Sequence, residues 1–226
     1  MTKKILTIVF TVFILLAVLL SNVVFFGTSK STYLRLQSEL GISETTGISE
    51  DGLYSITESI IDYLLLKTDN LQVLEKVNGV EREIFNQREL DHMEDVRVLF
   101  LLSYGVLFLL AAAIVFRVVL LHKENNLAEF YKEAKASFIS SLVITSLVAV
   151  IFVTNFQKFW IVFHEVFFFN DLYILNPETD ILIQMMPLQF FLKISTRIAV
   201  SFLITHAGLL IITWFGVKRD DKKNRR

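Results

Sequence analysis

Long apolar runs alternate with polar segments along the chain. Four runs reach the roughly 20 apolar residues that a helix needs to cross a hydrocarbon core about 30 Å thick. These runs are residues 5–27, 98–121, 138–156 and 190–217. The pattern predicts an all-α polytopic membrane protein with four transmembrane helices. The composition agrees, because 54% of the residues are hydrophobic and the mean hydropathy is +0.56.

The first run, residues 5–27, could also be a secretory signal peptide. Its apolar stretch exceeds the 7–15 residues or so of a signal core, and no A-x-A-like cleavage site follows it. We therefore expect it to be a membrane helix.

Lysine and arginine near the helix ends predict the orientation, since they are retained on the cytoplasmic side. Lys3 and Lys4 precede the first run, and the basic tail 218–226 follows the last. Lys158, Lys193 and Arg197 near the outer ends depart from the rule. We expect both termini and the loop 122–137 to be cytoplasmic. The segments predicted outside are a cap, 28–97, and an interfacial loop, 157–189.

The cap is too polar for lipid, with fourteen acidic and six basic residues between Ser29 and Asp95. We expect a small, mainly helical extracellular cap. Residues 41–52 are rich in Gly, Ser and Thr and predict a loop. Two S/N-x-x-E patterns predict helix N-termini with capping boxes. They are Ser55 with Glu58, ahead of an apolar face formed by Ile60, Ile61, Leu64 and Leu65, and Asn86 with Glu89, just before the second span.

Several classes of function are disfavoured by composition. The chain has no cysteine, which excludes disulfides, a cysteine nucleophile and thiolate metal sites. Its formal net charge of -1 gives no field that would attract nucleic acid. With neither a Gly-rich phosphate loop nor a G-x-S-x-G elbow, nucleotide and serine hydrolysis are not expected. We expect no cofactor.

Two histidines, His92 and His164, are predicted at the same outer membrane boundary. Histidine exchanges a proton near neutral pH, since its unperturbed pKa is about 6.5. A pair at one interface could accept and return a proton. The alternative is that each only forms hydrogen bonds at a wet interface. His206, near the middle of the last span, is expected to bond to a neighbouring helix.

A metal site is a weaker interpretation of the same region. The "HEVFF" stretch that begins at His164 resembles the zincin motif H-E-x-x-H but has Phe168 in place of the second histidine. Ligands could still converge in space, although no local spacing supports this. The candidates for such a set are His92, His164, Glu94, Asp95 and Asp171.

Aromatic residues crowd the outer boundary, among them Trp160 and Phe167, followed by the polar pair Asn170 and Asp171. An interfacial belt explains the aromatics; a pocket for lipid chains with a polar end also explains them. Arg197, inside the last span, either reaches toward lipid headgroups or contacts a substrate headgroup or an oxyanion.

Two stretches resemble the bacterial lipoprotein intramolecular transacylase family, Lit. They are "FHEVFFFNDLYILNPETDILIQMMP" (163–187) and "ELDHMEDVRVLF" (89–100). The order of four spans and one cap is similar too, so the resemblance covers nearly the whole chain. Tyr173, Asn176 and Met186 depart from the family's usual residues.

The resemblance implies an acyltransferase in the plasma membrane of Gram-positive bacteria. Its partners would be diacylglyceryl lipoproteins, as substrate, and the surrounding membrane lipids. Such an enzyme moves the sn-2 acyl chain onto the amino group of the N-terminal cysteine and gives a lyso-form lipoprotein. The family's two catalytic histidines match His92 and His164. Asp95, Glu165 or Asp171 could orient an imidazole as a triad carboxylate does.

The residues fit this chemistry. Ester aminolysis requires an amine to lose a proton and an alkoxide to gain one, and amine and ester on one molecule require no acyl-enzyme. Two alternatives stay open. One is a metal-assisted membrane lipid hydrolase, and the other is a non-enzymatic membrane scaffold or pH sensor with an acidic cap.

Overall fold

The computed structural model describes residues 2–224, so the end of the predicted basic tail, residues 225–226, lies outside the described residues. Eight helices and one β-hairpin occur in the described chain. Their bounds are α1 Thr2–Gly27, α2 Lys30–Glu39, α3 Ile42–Thr46, α4 Glu50–Leu64, β1 Leu74–Val77, β2 Val80–Glu83, α5 Gln87–Lys123, α6 Leu127–Phe167, α7 Ile181–Met185 and α8 Leu188–Asn224.

Four of the helices, α1, α5, α6 and α8, are long and apolar enough to cross a membrane. This confirms the predicted fold class of a four-span, mainly helical membrane protein. With its 37 residues, α5 is about 55 Å long at 1.5 Å per residue and exceeds a hydrocarbon core of about 30 Å. Part of α5 therefore extends beyond the hydrocarbon. Large apolar side chains lie exposed along the spans, such as Phe108 and Val153, as expected where lipid is the solvent.

The chain forms two compact units. Unit 1 comprises the residues up to Val24, Ser103–Val150 and the residues from Arg197 onward. Unit 2 comprises Phe25–Leu102 and Ile151–Thr196.

Four polar side chains, three of them buried and Glu129 half-buried, form a stripe along α6 in unit 1. They are spaced four residues apart and so share one helix face; they are Glu129, Glu133, Ser137 and Ser141. The carboxylate of Glu133, fully buried, pairs with Arg117 of α5 at 2.7 Å. Ser137 lies 3.0 Å from Nε2 of His206 in α8. The expected hydrogen bond from His206 to a neighbouring helix is thereby confirmed.

In unit 2, the N-terminal half of the cap is more helical than expected. The predicted loop 41–52 contains α3 and the start of α4, so that prediction was wrong. The predicted box at Ser55 was also wrong, because α4 begins six residues earlier. Ser49 is its N-cap and accepts a hydrogen bond from the Gly52 N–H at 3.0 Å. Glu50 and Asp51 in the first turn favour this start, since acidic side chains stabilise a helix N-terminus.

The hairpin β1–β2 was absent from the prediction. Asn78 and Gly79 connect the strands with φ values of 51° and 81°, which is the left-handed pair that a type I′ turn requires. Val77 also forms a bridge with Ile48, and the Asn78 N–H donates to the Gly47 carbonyl at 2.9 Å. The hairpin is therefore tied to the α3–α4 connection.

The core of unit 2 is formed by the buried face of α4 and the residues that pack beside it. Of the four residues predicted on that face, Ile60, Ile61 and Leu64 are buried, whereas Leu65 is 36% exposed. Leu65 is the C-cap, where the helix ends. Other fully buried members of this core are Leu36, Ile48, Ile56, Ile84, Met185 and Phe190.

Candidate active site

The first turn of α5 carries a capping box. The Asn86 N–H donates to Oε2 of Glu89 at 2.8 Å, and the Glu89 N–H donates to Oδ1 of Asn86 at 3.1 Å. This reciprocal pair confirms the predicted box. Two helix N–H groups that have no partner within the helix are thereby satisfied, and the helix is fixed at its start. His92 follows on the second turn and is buried, with 7% of its surface exposed.

His164 lies at the end of α6, on a segment that is separated from the rest of the helix by a break. Asn155 has non-helical backbone angles, and its Oδ1 accepts a hydrogen bond from the Lys158 N–H at 2.9 Å. Asn155 thus acts as an N-cap for a new helical segment. That segment carries Trp160 and His164 on one face, because they are four residues apart.

The two predicted histidines lie together. Their ring centroids are 6.1 Å apart and the ring planes differ by 36°. Phe168, also buried, packs against both rings, with centroid distances of 5.2 Å to His92 and 5.5 Å to His164. At this separation one small reacting group can lie within hydrogen-bonding reach of both imidazoles.

The backbone fixes the tautomer of His164. Its Nδ1 is 2.7 Å from the carbonyl oxygen of Trp160. A carbonyl can only accept a hydrogen bond, so Nδ1 carries the proton in this contact. The neutral ring therefore has its lone pair on Nε2, and Nε2 is the basic atom.

His92 has a different environment. Its Nδ1 is buried, and no other group in the described part of the chain bonds to it. Asp95, suggested as an orienting carboxylate, instead accepts a hydrogen bond from the Asn170 amide at 2.8 Å. A buried imidazole nitrogen without a partner is costly, which is typical of a site that is completed by a ligand.

Aromatic rings enclose His164 on several sides. Tyr173 stacks on it at 4.8 Å, and Trp160 contacts its edge at 4.6 Å. Trp160 stacks in turn on Phe191 of α8, at 4.1 Å, and on Phe163 at 5.3 Å. The predicted residue Phe167 packs on Phe163 but not against the histidine in any described contact, and it is 47% exposed. The side chains that enclose His164 are thus mainly aromatic.

Other predicted residues are not buried as the two histidines are. Asp171 pairs with Arg88 at 3.4 Å and its side chain is largely exposed. Glu165 is exposed on α6. Arg197 is half-buried on α8 and belongs to unit 1. Its partner by spacing, Lys193, pairs with Glu39 of α2 at 2.9 Å.

The sequence did not identify the residues that hold the loop between α6 and α7. Glu89, almost fully buried, accepts a hydrogen bond from the Leu182 N–H at 2.6 Å. The Asn86 amide donates to Oδ1 of Asp180 at 2.9 Å. The capping-box pattern revealed Asn86 and Glu89 as local helix-start residues, but their contacts with the loop depend on tertiary structure.

Asp180, the N-cap of α7, is buried. Burial acts to raise the pKa of its carboxyl, but hydrogen bonds from the Asn176 N–H, the Thr179 hydroxyl and the Asn86 amide outweigh burial and hold this pKa below its usual value. A carboxylate that accepts several hydrogen bonds is stabilised in its charged form. The loop end is therefore fixed by an ionised group.

A cavity of about 370 Å³ lies elsewhere on α5, lined by Leu66, Glu94, Arg97, Val98 and Leu101. The four α5 residues are three or four positions apart and share a face that His92, two positions before Glu94, does not share.

The suggested metal ligands do not form a cluster. In residues 2–224 no three His, Asp or Glu side chains converge as a metal ion would require. Glu94, one of those suggested ligands, lines the cavity on α5 instead.

The fold and the site together define an integral membrane protein with four spans and a paired-histidine site. A family model for the lipoprotein intramolecular transacylase Lit matches residues 6–191. The chain therefore belongs to the Lit family and is an acyltransferase.

Solved structures agree with this assignment at the level of the fold. The in meso structure of Lit from Bacillus cereus has a TM-score of 0.80 at 21% identity, covering 99% of this chain and 98% of that one. Two structures of mutants of the same protein, in which a histidine is replaced by arginine or alanine, have TM-scores of 0.75 at 20% identity. Both cover 99% of this chain, with 94% and 96% of the other chain. No curated protein sequence matches the chain.

Proposed function

We propose that this enzyme transfers the sn-2 acyl chain of a diacylglyceryl lipoprotein to the α-amino group of the same molecule's N-terminal cysteine. The observation that carries the proposal is the proximity of His92 and His164, whose rings are 6.1 Å apart in an aromatic surround. The site would face the outer side of the plasma membrane, where the lipoprotein is anchored.

The reaction balances without water or a second acyl donor. The amine nitrogen attacks the ester carbonyl, and a C–N bond forms. The bond between the acyl carbon and the glyceryl oxygen breaks, and the amine proton ends on that oxygen. The product is an isomer of the substrate. An apolar wall of Trp160, Phe168 and Tyr173 would disfavour the competing attack by water.

We assign the base to His164. Its Nδ1–H is held by the Trp160 carbonyl, so its Nε2 is available to accept the amine proton. His92 takes the complementary role. Its Nδ1 is buried without a partner in the described chain, which leaves its Nε2–H to donate a hydrogen bond to the oxyanion and to the glyceryl oxygen as it leaves. The proton that His164 accepted from the amine then passes to the glyceryl oxygen, so both imidazoles end neutral, as they began.

Folding the substrate so that amine and ester meet is the second contribution of the protein. Orientation of this kind lowers a barrier by up to about 7–11 kcal/mol. The rings around His164 and the polar contacts of Asp95 with Asn170 provide the apolar and polar surfaces that such a folded substrate needs.

The test uses purified protein in lipid vesicles with a synthetic lipopeptide that carries different acyl chains at sn-1 and sn-2. Tandem mass spectrometry should show only the sn-2 chain, now on the cysteine nitrogen. A mixture of two isotopically labelled lipopeptides should give no crossed product. Release of free fatty acid as the main product, or crossed product, would contradict the proposal.

Histidine variants test the assignment. His164→Gln and His92→Gln should each lower the rate by about 10²–10⁴, the usual contribution of acid–base catalysis. His122, exposed at the end of α5, provides the matched control, and His122→Gln should retain the full rate. A wild-type rate in either site variant would remove that histidine from the mechanism.

A further inference from the structure

The loop between α6 and α7, residues 168–180 and hereafter the covering loop, lies over the histidine pair. Phe168 packs against both imidazoles and Tyr173 stacks on His164 with an interplanar angle of 28°. Asn170 bonds to Asp95 of α5. The covering loop therefore determines which surface of His164 is closed.

Arg88 holds the turn that contains Tyr173. Its Nε donates to the Ile174 carbonyl at 3.1 Å, and its Nη2 donates to the Asp171 carbonyl. These two carbonyls lie on either side of Tyr173 in the sequence. Arg88 itself lies four residues before His92 and shares its helix face. One turn of α5 thus carries both His92 and Arg88, and Arg88 holds the loop turn that places Tyr173 on His164.

We propose that Arg88 is a positioning residue of the acyl transfer, which acts by keeping Tyr173 stacked on His164. The stack, together with the bond to the Trp160 carbonyl, fixes the plane of the imidazole and hence the direction of its basic Nε2. This inference rests on the proposed role of His164.

Overall stability depends little on this contact. The side chains of Arg88 and Asp171 are 41% and 78% exposed, and exposed ion pairs contribute little to stability. The far end of the covering loop is held separately, by Glu89 on Leu182 and by Asn86 on Asp180. Loss of Arg88 should therefore release the turn around Tyr173 and leave the rest of the loop attached.

An arginine is required at position 88 because the contact needs two donors that reach two carbonyl groups. The planar guanidinium donates to two separate carbonyls at once, whereas a lysine ammonium is a compact charge on a flexible stem. Arg88→Lys should therefore behave like Arg88→Gln, although it keeps the positive charge. A purely electrostatic role of Arg88 would predict that lysine restores the function.

The experiment combines kinetics with NMR on the full-length protein. The chain has four histidines, so ¹³Cε1-labelled histidine gives a spectrum simple enough to assign by single substitutions. Arg88→Gln and Arg88→Lys should each lower kcat by roughly 10- to 100-fold, the effect of a misplaced catalytic group, with a smaller change in KM. Both should shift the His164 resonance in the direction that Tyr173→Leu shifts it.

The double variant Arg88→Gln/Tyr173→Leu should be no slower than the slower single variant, because both changes remove the same stack. Arg35→Gln, which also breaks an exposed arginine–carboxylate pair, is the control and should change neither kcat nor the resonance. Additive effects, rescue by lysine, or an unmoved His164 resonance would overturn the inference. If His164→Gln itself keeps the wild-type rate, the proposed function fails instead, and the two failures are distinguished.

Discussion

The imidazole rings of His92 and His164 lie 6.1 Å apart, one on the second turn of α5 and the other near the end of α6. Each of the two helical segments is fixed separately at its own start. α5 is fixed at its start by the Asn86–Glu89 box, and the last segment of α6 starts anew at Asn155. A capped start on each segment gives both rings a defined orientation, which the proposed proton transfer requires.

The hydrogen bond between Asp95 and Asn170 should contribute to the reaction rate, and the two side chains should act together. Asp95→Ala or Asn170→Ala should lower kcat/KM by roughly 3- to 10-fold, because an intramolecular hydrogen bond typically contributes about 0.5–1.5 kcal/mol. The double variant should lose no more than either single variant, measured with the same lipopeptide assay. Gln87→Ala, which removes an exposed bond to Asp91 on the same helix, should be neutral. Fully additive losses would mean that the two side chains act separately.

Much of the membrane fold could be predicted because its signal is strong and local. Each span is an apolar run longer than any soluble protein usually contains, and the box at Asn86 and Glu89 lies within four residues. The hairpin was missed, although the Asn78–Gly79 pair between alternating residues is a known turn signal. Its strands have only four residues each, so the alternation was too short to compete with the helical pattern around it.

The sequence identified the two histidines of the site, but it did not identify most of the groups that contact them. Both imidazoles stood out as titratable groups at one predicted depth. The carboxylates near them in sequence did not become their partners: Asp95 binds Asn170 and Asp171 binds Arg88. The partners found, the Trp160 carbonyl and the Tyr173 ring, are a backbone group and an aromatic ring. Neither carries a sequence pattern that separates it from an ordinary helix or an interfacial belt.

His206 is expected to serve stability rather than chemistry. Its Nδ1–H donates to the Phe202 carbonyl and its Nε2 accepts from Ser137. Ser137→Ala leaves Nε2 buried without its donor and should cost about 0.6–1.7 kcal/mol, the range for hydrogen bonds between membrane helices. Thermal unfolding should shift to lower temperature with an unchanged rate of acyl transfer at permissive temperature. Ser146→Ala, which removes an exposed bond within α6, is the control. Loss of activity without loss of stability would show that the pair has a chemical role.

Acid should weaken the attachment of the covering loop through Asp180. The folded-state pKa of this carboxyl is lowered, so its contribution to stability is present above the unfolded value of about 3.9 and is lost as the pH falls through the folded pKa. Asp180→Asn should therefore unfold at a lower temperature than the wild type at pH 5, and the difference should shrink toward pH 2–3. Tryptophan fluorescence during heating measures this. Glu178→Gln, exposed on the same loop, should follow the wild type, and a constant gap for Asp180→Asn would contradict the expectation.

Breaking the ion pair of Arg117 with Glu133 should destabilise the protein strongly. Replacing both residues by apolar side chains should change its stability much less. Glu133 is fully buried, and its Oε2 has no partner among the described groups. Arg117→Gln leaves that charge unpaired and should destabilise the protein by about 3–5 kcal/mol, whereas a pair of apolar residues of similar volume is often neutral or stabilising. We expect Arg117→Met/Glu133→Leu to regain most of the thermal stability lost by Arg117→Gln. Arg35→Gln, in an exposed pair, should change the unfolding temperature little. If the apolar double variant is as unstable as Arg117→Gln, the charges themselves are needed in this unit, because packing alone would then fail to replace them.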